Sequence, residues 1–352
     1  MSAAPIAIAG REIGPDARPY IIAEMSGNHN QSLDRAMEIV TSAAENGADA
    51  VKLQTYTADT MTLDFDGPGF VIEDKKSLWA GRQLYDLYDE AHTPWDWHGP
   101  LMEHARSLGI HCFSSPFDAS AVDFLETLDV PAYKIASFEM TDLPLIRKVA
   151  RTGKPMIIST GMATLAEIHE AIEAAKGEGN DQLVILKCTS TYPATPDNTN
   201  IRTIPNLAEA TGCLIGLSDH TMGVGVPAAA VTLGAVLVEK HFTLARADGG
   251  VDSAFSLEPH ELQSLRDETE RAWQSLGRVS YGGSKAEEGS RAYRRSLYVA
   301  QDLKAGDVLT EDNLRAIRPG FGLPPKFFDL LVGKRVNRDV SRGTPMAWDM
   351  VG

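Results

Sequence analysis

Eight short apolar runs, each followed by a stretch of helical periodicity, pass through the first 280 residues of this 352-residue chain. The runs cover 19–25, 50–56, 109–117, 132–137, 155–161, 183–192, 214–220 and 237–243. Their length and their Val, Ile and Leu content suit strands buried on both faces. Helical patterns fill the gaps. Ser32 can cap a helix whose stripe runs Leu33, Met37, Val40 and Ala44, with Gly47 just past its end. Thr93 with Pro94 opens another, Thr164 with Glu167 makes a capping box, and residues 260–276 form a last amphipathic helix. Eight strand–helix units in about 250 residues predict an α/β fold, a (β/α)8 TIM barrel, in preference to an open doubly wound sheet.

The flanking segments carry their own signals. Residues 6–9 and 12–13 bracket a Gly10-Arg11 turn, which predicts a hairpin plugging the barrel bottom. The stretch 57–79, rich in Asp, Gly and Thr, is long for a loop in a compact domain and is expected to act as a lid. After Gly277 comes a Gly- and Ser-rich segment, then short strand-like pieces broken by turns at 304–307, 318–320 and 342–345. The expected division is a barrel domain over 1–280, a linker over 281–292 and a small β-rich module over 293–352.

Charge and cysteine content narrow the function classes. A net charge of −15 argues against non-specific nucleic-acid binding and against an anionic membrane surface. Three cysteines in apolar runs read as buried thiols in a reducing compartment. No run approaches 18 apolar residues and no basic leader stands at the start, so a soluble, cytoplasmic protein is expected.

Barrel enzymes place their chemistry at the C-terminal strand ends. Here those ends hold Glu24, Lys52 with Gln54, Ser114 with Ser115, Lys134 with Ser137, Ser159, Thr189 with Ser190, Ser218 with His220, and Glu239 with His241. Strand alternation sends Val51 and Leu53 outward and Lys52 and Gln54 inward, and does the same around Lys134. Two inward lysines within a ring of serine hydroxyls describe a phosphate and carboxylate site. A simpler alternative pairs the lysines with Glu24 and Glu139 as buried ion pairs. His220 and His241 close neighbouring runs and can share one divalent metal, the alternative being two satisfied rim histidines. Lys187 with Thr189 can point inward, which would suit a Schiff-base aldolase. Lys240 is expected to be structural, Cys188 to be core, and Trp95 and Trp97 to pack. His29 either shapes the rim or touches substrate, and His92, His98, His104 and His169 are expected at the surface.

The runs Ala23-Glu24-Met25-Ser26-Gly27-Asn28-His29-Asn30, Val51-Lys52-Leu53-Gln54, Ser114-Ser115-Pro116-Phe117-Asp118, Tyr133-Lys134-Ile135-Ala136-Ser137, Ser159-Thr160-Gly161-Met162, Ser218-Asp219-His220 and Glu239-Lys240-His241-Phe242 together resemble the sialic acid synthase family. The tail over 294–349 resembles that family's antifreeze-like (SAF) domain. Residues 57–62 and 84–95 are most similar to the branch that makes pseudaminic acid. The resemblance implies condensation of phosphoenolpyruvate with an amino sugar, a 2,4-diacetamido-2,4,6-trideoxy-L-altrose, with the N-acetylneuraminic and legionaminic products as alternatives. A non-catalytic sugar-phosphate sensor on the same barrel is the non-enzymatic alternative.

It further implies that Lys52, Ser115, Lys134, Ser137, Ser159 and Ser218 hold phosphoenolpyruvate, with Ser190 standing where the family often carries asparagine. His220 and His241 would bind Mn2+, or Mg2+ or Co2+ in its place. Tyr192 and Asp252 would face the sugar, with Gln54, Glu139 and Phe117 nearby, and Glu24 or Glu139 would handle protons. Arg318 would reach into the barrel of a second subunit in a domain-swapped homodimer.

Overall fold

A computed structural model describes residues 3–75 and 77–352. The chain separates into two compact units, Met1–Gly277 and Arg278–Gly352.

In the first unit eight parallel strands close into a barrel: β3 (Tyr20–Glu24), β4 (Ala50–Thr55), β5 (His111–Pro116), β6 (Tyr133–Ile135), β7 (Met156–Ser159), β8 (Leu183–Cys188), β9 (Leu214–Asp219) and β10 (Leu237–His241). They follow one another in chain order, and β10 pairs with β3 to complete the ring, with His241 opposite Glu24. The expected (β/α)8 barrel is therefore the observed fold. Two signals behind it are visible as bonds. Ser32 accepts from the Arg35 amide at the head of the helix Leu33–Glu45, and Thr164 and Glu167 cap each other at the head of Leu165–Gly177. The helix Trp95–Ser107 starts one residue later than Thr93 suggests, with Pro94 as its cap.

Strand alternation divides the side chains as the sequence pattern requires. Val51, Leu53, Tyr133 and Ile135 pack outward in one core with the helix residues Ile39, Val40 and Leu101. Ile22, Ala50, Phe113, Ile157, Val184, Leu186 and Leu237 fill the lower barrel in a second core. The antiparallel hairpin of β1 (Ile6–Ile8) and β2 (Arg11–Ile13) adds Ile8 and Ile13 to this second core, plugging the barrel as expected. Its Ala9-Gly10 turn has φ of 46° and 83°, the pair of positive values that a tight hairpin turn needs. The interior tapers around Gly216, where an added Cβ would stand 2.6 Å from both Leu186 Cδ2 and the Leu237 carbonyl oxygen.

The stretch after β4 is more ordered than an irregular lid. A short helix, Ala58–Met61, carries a Thr57–Thr60 capping box. Residues 70–84 then fold back as a hairpin-like excursion, in which the Leu84 amide donates to Phe70 and the Ile72 amide to Arg82. Among the described residues no helix is long and apolar enough to cross a membrane.

The second unit pairs β11 (Ser296–Val299) with β12 (Leu314–Ile317) antiparallel. Isolated bridges such as Leu303↔Val340 and Val336↔Val351 extend the β character through its length. Leu297, Val299, Leu309, Leu314 and Leu331 form its own small core.

Gly216→Ala is expected to lower the unfolding midpoint in urea by the equivalent of about 2–3 kcal/mol, because one of the two obstructing atoms is backbone and cannot swing aside.

Candidate active site

Above the aliphatic layers, the upper barrel interior is built from charged and hydroxyl side chains. Lys52 on β4 and Lys134 on β6 are both buried. A buried ammonium requires an opposing charge. Lys52 Nζ lies 2.6 Å from Glu24 Oε2 and 3.7 Å from Glu239 Oε1, and Lys134 Nζ lies 3.7 Å from the same Glu239 oxygen. Each lysine also donates to a serine, Lys52 to Ser115 at 3.2 Å and Lys134 to Ser159 at 2.7 Å. Ser218 donates to Glu239 at 3.2 Å, and the Gln54 amide donates to Glu24 at 2.8 Å. The sequence pattern suggested Glu139 as the second lysine partner. The partner is Glu239, because its position on β10 faces the barrel axis, whereas Glu139 lies beyond the end of β6.

The electrostatics follow from burial and these contacts. Burial lifts the Glu24 carboxyl to about 7 against the pull of Lys52. Burial would raise Glu239 too, but Lys134 and Lys52 outweigh it and hold that carboxyl below its ordinary value. Burial works to lower Lys52, yet Glu239 and Glu24 keep its pKa raised, while burial prevails at Lys134 and lowers it. Glu139 has no hydrogen-bond partner for its Oε2, and burial lifts its carboxyl to about 7.

The two histidines sit above this cluster with ring centroids 5.4 Å apart. His220 Nδ1 donates to the Thr189 carbonyl at 2.9 Å, which leaves Nε2 as the nitrogen with a lone pair when the ring is neutral. His241 is held neutral mainly by burial, and its Nδ1 has no hydrogen-bond partner. Asp252 Oδ2 stands 4.0 Å from that nitrogen and is bonded by Ser26. An unsatisfied buried imidazole beside a second one oriented by a carbonyl suits a divalent ion bound through two protein nitrogens. Among the described residues no group of three or more His, Cys, Asp or Glu side chains is arranged to hold a metal, so the remaining ligands would be water or substrate.

Behind the histidines, Lys240 and Asp219 form a buried ion pair at 2.6 Å on the outer faces of β10 and β9. Lys240 also donates to the Thr221 carbonyl at 2.5 Å. The structural role expected of Lys240 is thus to tie together the two strand ends that carry His220 and His241.

The cavity over these groups has a volume of about 450 Å³. Gln54, Phe117, Ser137, Glu139, Ser190, Tyr192, His241 and Asp252 line it. Ser137 and Ser190 share a hydrogen bond of 2.8 Å. Gly161, at φ +49°, makes room for that pair, since a Cβ there would collide with Ser137 Cβ and lie 2.8 Å from Ser190 Oγ. Tyr192 packs 4.5 Å from the His220 ring. Arg318 belongs to the second unit, where it is exposed just past β12.

Ser114, His98 and the inward alternative for Lys187 need correction. Ser114 and His98 both turn to the outer face of the wall, where Thr55 bonds each of them, and His98 is fully buried rather than at the surface. His29 is also fully buried, bonded by the Gln31 amide and Thr93, so it shapes the rim. Lys187 points outward, since its neighbours Leu186 and Cys188 take the inward positions, and its amine bonds the Cys188 carbonyl and Thr189 hydroxyl. Cys188 is buried as expected of a core residue, and it also lies against His220 and 3.8 Å from Ser190 Oγ. Burial would raise this thiol, but His220 outweighs it and brings it down to about 7. Glu239 was within reach of sequence reasoning through its shared parity with His241. Cys188, Ser26 and Trp79, which lines the cavity from the excursion after β4, gave no such signal.

The NeuB family model matches residues 39–281 and the SAF domain model residues 294–352. The chain is 43% identical over 328 residues to a pseudaminic acid synthase of Campylobacter jejuni, covering 93% of this chain and 95% of that protein. It is 42% identical over 332 residues to a pseudaminic acid synthase of Helicobacter pylori, covering 94% and 97%. The crystal structure of an N-acetylneuraminic acid synthetase from Leptospira borgpetersenii, in complex with citrate, superposes with a TM-score of 0.73 at 30% identity, over 83% of this chain and 96% of that one.

Two outcomes follow from the geometry. Glu239→Gln leaves two buried ammonium groups sharing one carboxylate and is expected to destabilise the fold by about 3 kcal/mol or more, measured by denaturant titration. Glu139 binds its proton more tightly folded (about 7) than at its ordinary value of 4.5, so its contribution is present at low pH and lost as pH rises through 7. Glu139→Gln should therefore gain stability over the parent as pH goes from 5 to 8, by up to about 2–3 kcal/mol, read from urea midpoints at both pH values.

Proposed function

The chain belongs to the NeuB family, and from that premise we propose that it condenses phosphoenolpyruvate with 2,4-diacetamido-2,4,6-trideoxy-L-altrose and water, giving pseudaminic acid and phosphate. The observation that carries this reading is the pair of buried lysines, each with its serine, close to two histidines whose rings lie 5.4 Å apart. Residues 1–280 carry the chemistry in this reading, and the linker 281–292 leads to the SAF module over 293–352.

The substrate's phosphate and carboxylate match Lys52, Lys134, Ser115, Ser159 and Ser218, with Ser137 and Ser190 at the edge of the same group. His220 and His241 are suited to hold Mn2+, with Mg2+ or Co2+ as substitutes. Such an ion, when bound, supplies Lewis acidity toward the sugar aldehyde. Tyr192, Asp252, Gln54 and Phe117 border the space left for the sugar. The new bond joins C3 of phosphoenolpyruvate to the aldehyde carbon, and positive charge develops at C2. The lysines keep the phosphate beside that carbon, so that positioning and fixed charge lower the barrier. Water adds at C2 and the tetrahedral carbon expels phosphate by C–O cleavage. A buried carboxyl poised near 7 suits Glu24 for the water's proton, and Glu139 is the second candidate.

Arg318 is assigned to the barrel mouth of a second copy in a domain-swapped homodimer. Its exposure and the basic character of residues 278–352, with thirteen Lys and Arg against nine Asp and Glu in a chain of net charge −15, support this. The cytoplasm is the proposed location, since phosphoenolpyruvate is made there. The outward position of Lys187 disfavours a Schiff-base aldolase.

The test is phosphate release from phosphoenolpyruvate by metal-stripped protein, with and without Mn2+, offered the altrose derivative, the legionaminic precursor or N-acetylmannosamine. Release is expected only with Mn2+ and the altrose sugar, and Lys134→Met should reduce kcat/KM by about 10²–10³-fold. Release with another sugar would keep the chemistry and replace the product.

A further inference from the structure

The cavity has two chemically different parts. One side is polar, with Gln54, Ser137, Glu139, Ser190, His241 and Asp252, whereas the excursion after β4 adds a wall of Met61, Ile72, Trp79 and Leu84, with Ser77 as its one lining hydroxyl. All four are half-buried and apolar. Trp79 holds the wall in place. Its indole N–H donates to the Val251 carbonyl at 3.0 Å, and its ring packs 5.9 Å from Tyr192, which in turn packs on His220. One side chain thus ties the excursion to the loops that follow β8 and β10. Because its only polar atom is committed to Val251, Trp79 offers the cavity no hydrogen bond.

Resting on the synthase reading above, we infer that Trp79, Ile72 and Leu84 form the specificity wall of the sugar site and select a sugar whose distal carbon is a methyl group rather than a hydroxymethyl. The aldehyde carbon has to face the histidines and phosphoenolpyruvate at the floor, so the far end of a six-carbon chain is directed toward this wall. A hydroxyl set against these side chains would give up its bonds to water and gain none from them, while a methyl loses nothing. An apolar surface of this kind discriminates against an added hydroxyl by about 10–10²-fold.

The experiment compares kcat/KM for phosphate release with the 2,4-diacetamido-2,4,6-trideoxy altrose and with its 6-hydroxy counterpart. The wild-type protein is expected to favour the deoxy sugar by about 10–10²-fold. Trp79→Ala should raise KM for the sugar, leave KM for phosphoenolpyruvate unchanged, and bring the ratio toward one. Leu84→Gln, at the head of a separate helix, tests the wall without cutting the Val251 tie and should improve turnover of the 6-hydroxy sugar. A ratio unchanged in both variants, or equal rises in both KM values, would overturn the wall while leaving the synthase reading intact. Wild-type silence with both altrose sugars would overturn the substrate reading and the wall together.

Discussion

Two ammonium groups buried inside a parallel barrel set the terms for much of the site. Lys52 and Lys134 cannot stay charged there without carboxylates, and Glu24 and Glu239 supply them from β3 and β10. One Glu239 oxygen is within ion-pair range of both lysines, so a single side chain on β10 links β4 and β6 across the interior. Replacing such a cluster with aliphatic residues would fill the same space without charge burial. Retaining it makes sense where fixed charges must meet an anionic substrate.

The aliphatic and polar layers divide the work. Below, the packing around Gly216 and the hairpin plug fix the barrel's shape. Above, serine hydroxyls and Gln54 give the charged groups further hydrogen bonds. The Asp219–Lys240 pair sits on the outer side of the same two strands that carry the histidines. Strand alternation explains the arrangement, since each histidine faces inward only if its neighbour faces out.

Much of this was legible in the residue order. The eight strand positions, the caps at Ser32 and Thr164, the plugging hairpin and the inward turn of Lys52 and Lys134 all follow from local periodicity. The pairing of Glu239 with the lysines did not follow, although its parity was readable, because Glu139 was closer to Lys134 in sequence. His98 illustrates the same limit. A histidine in a helical stretch reads as solvated, yet it faces the wall where Thr55 waits for it. The inward alternative for Lys187 fails because Thr189, which suggested it, lies beyond the last residue of β8.

The sequence by itself determined the barrel, the facing of its strands and the chemical types at their rims, since these depend on near neighbours and on a period of two. Only the tertiary structure decided which charges pair, which nitrogen of His220 bonds the Thr189 carbonyl, and how residues 57–91 shape the sugar side of the cavity. Those features depend on distances between segments far apart in the chain. Trp79 reaches Val251 across 172 positions, and no local pattern encodes that contact.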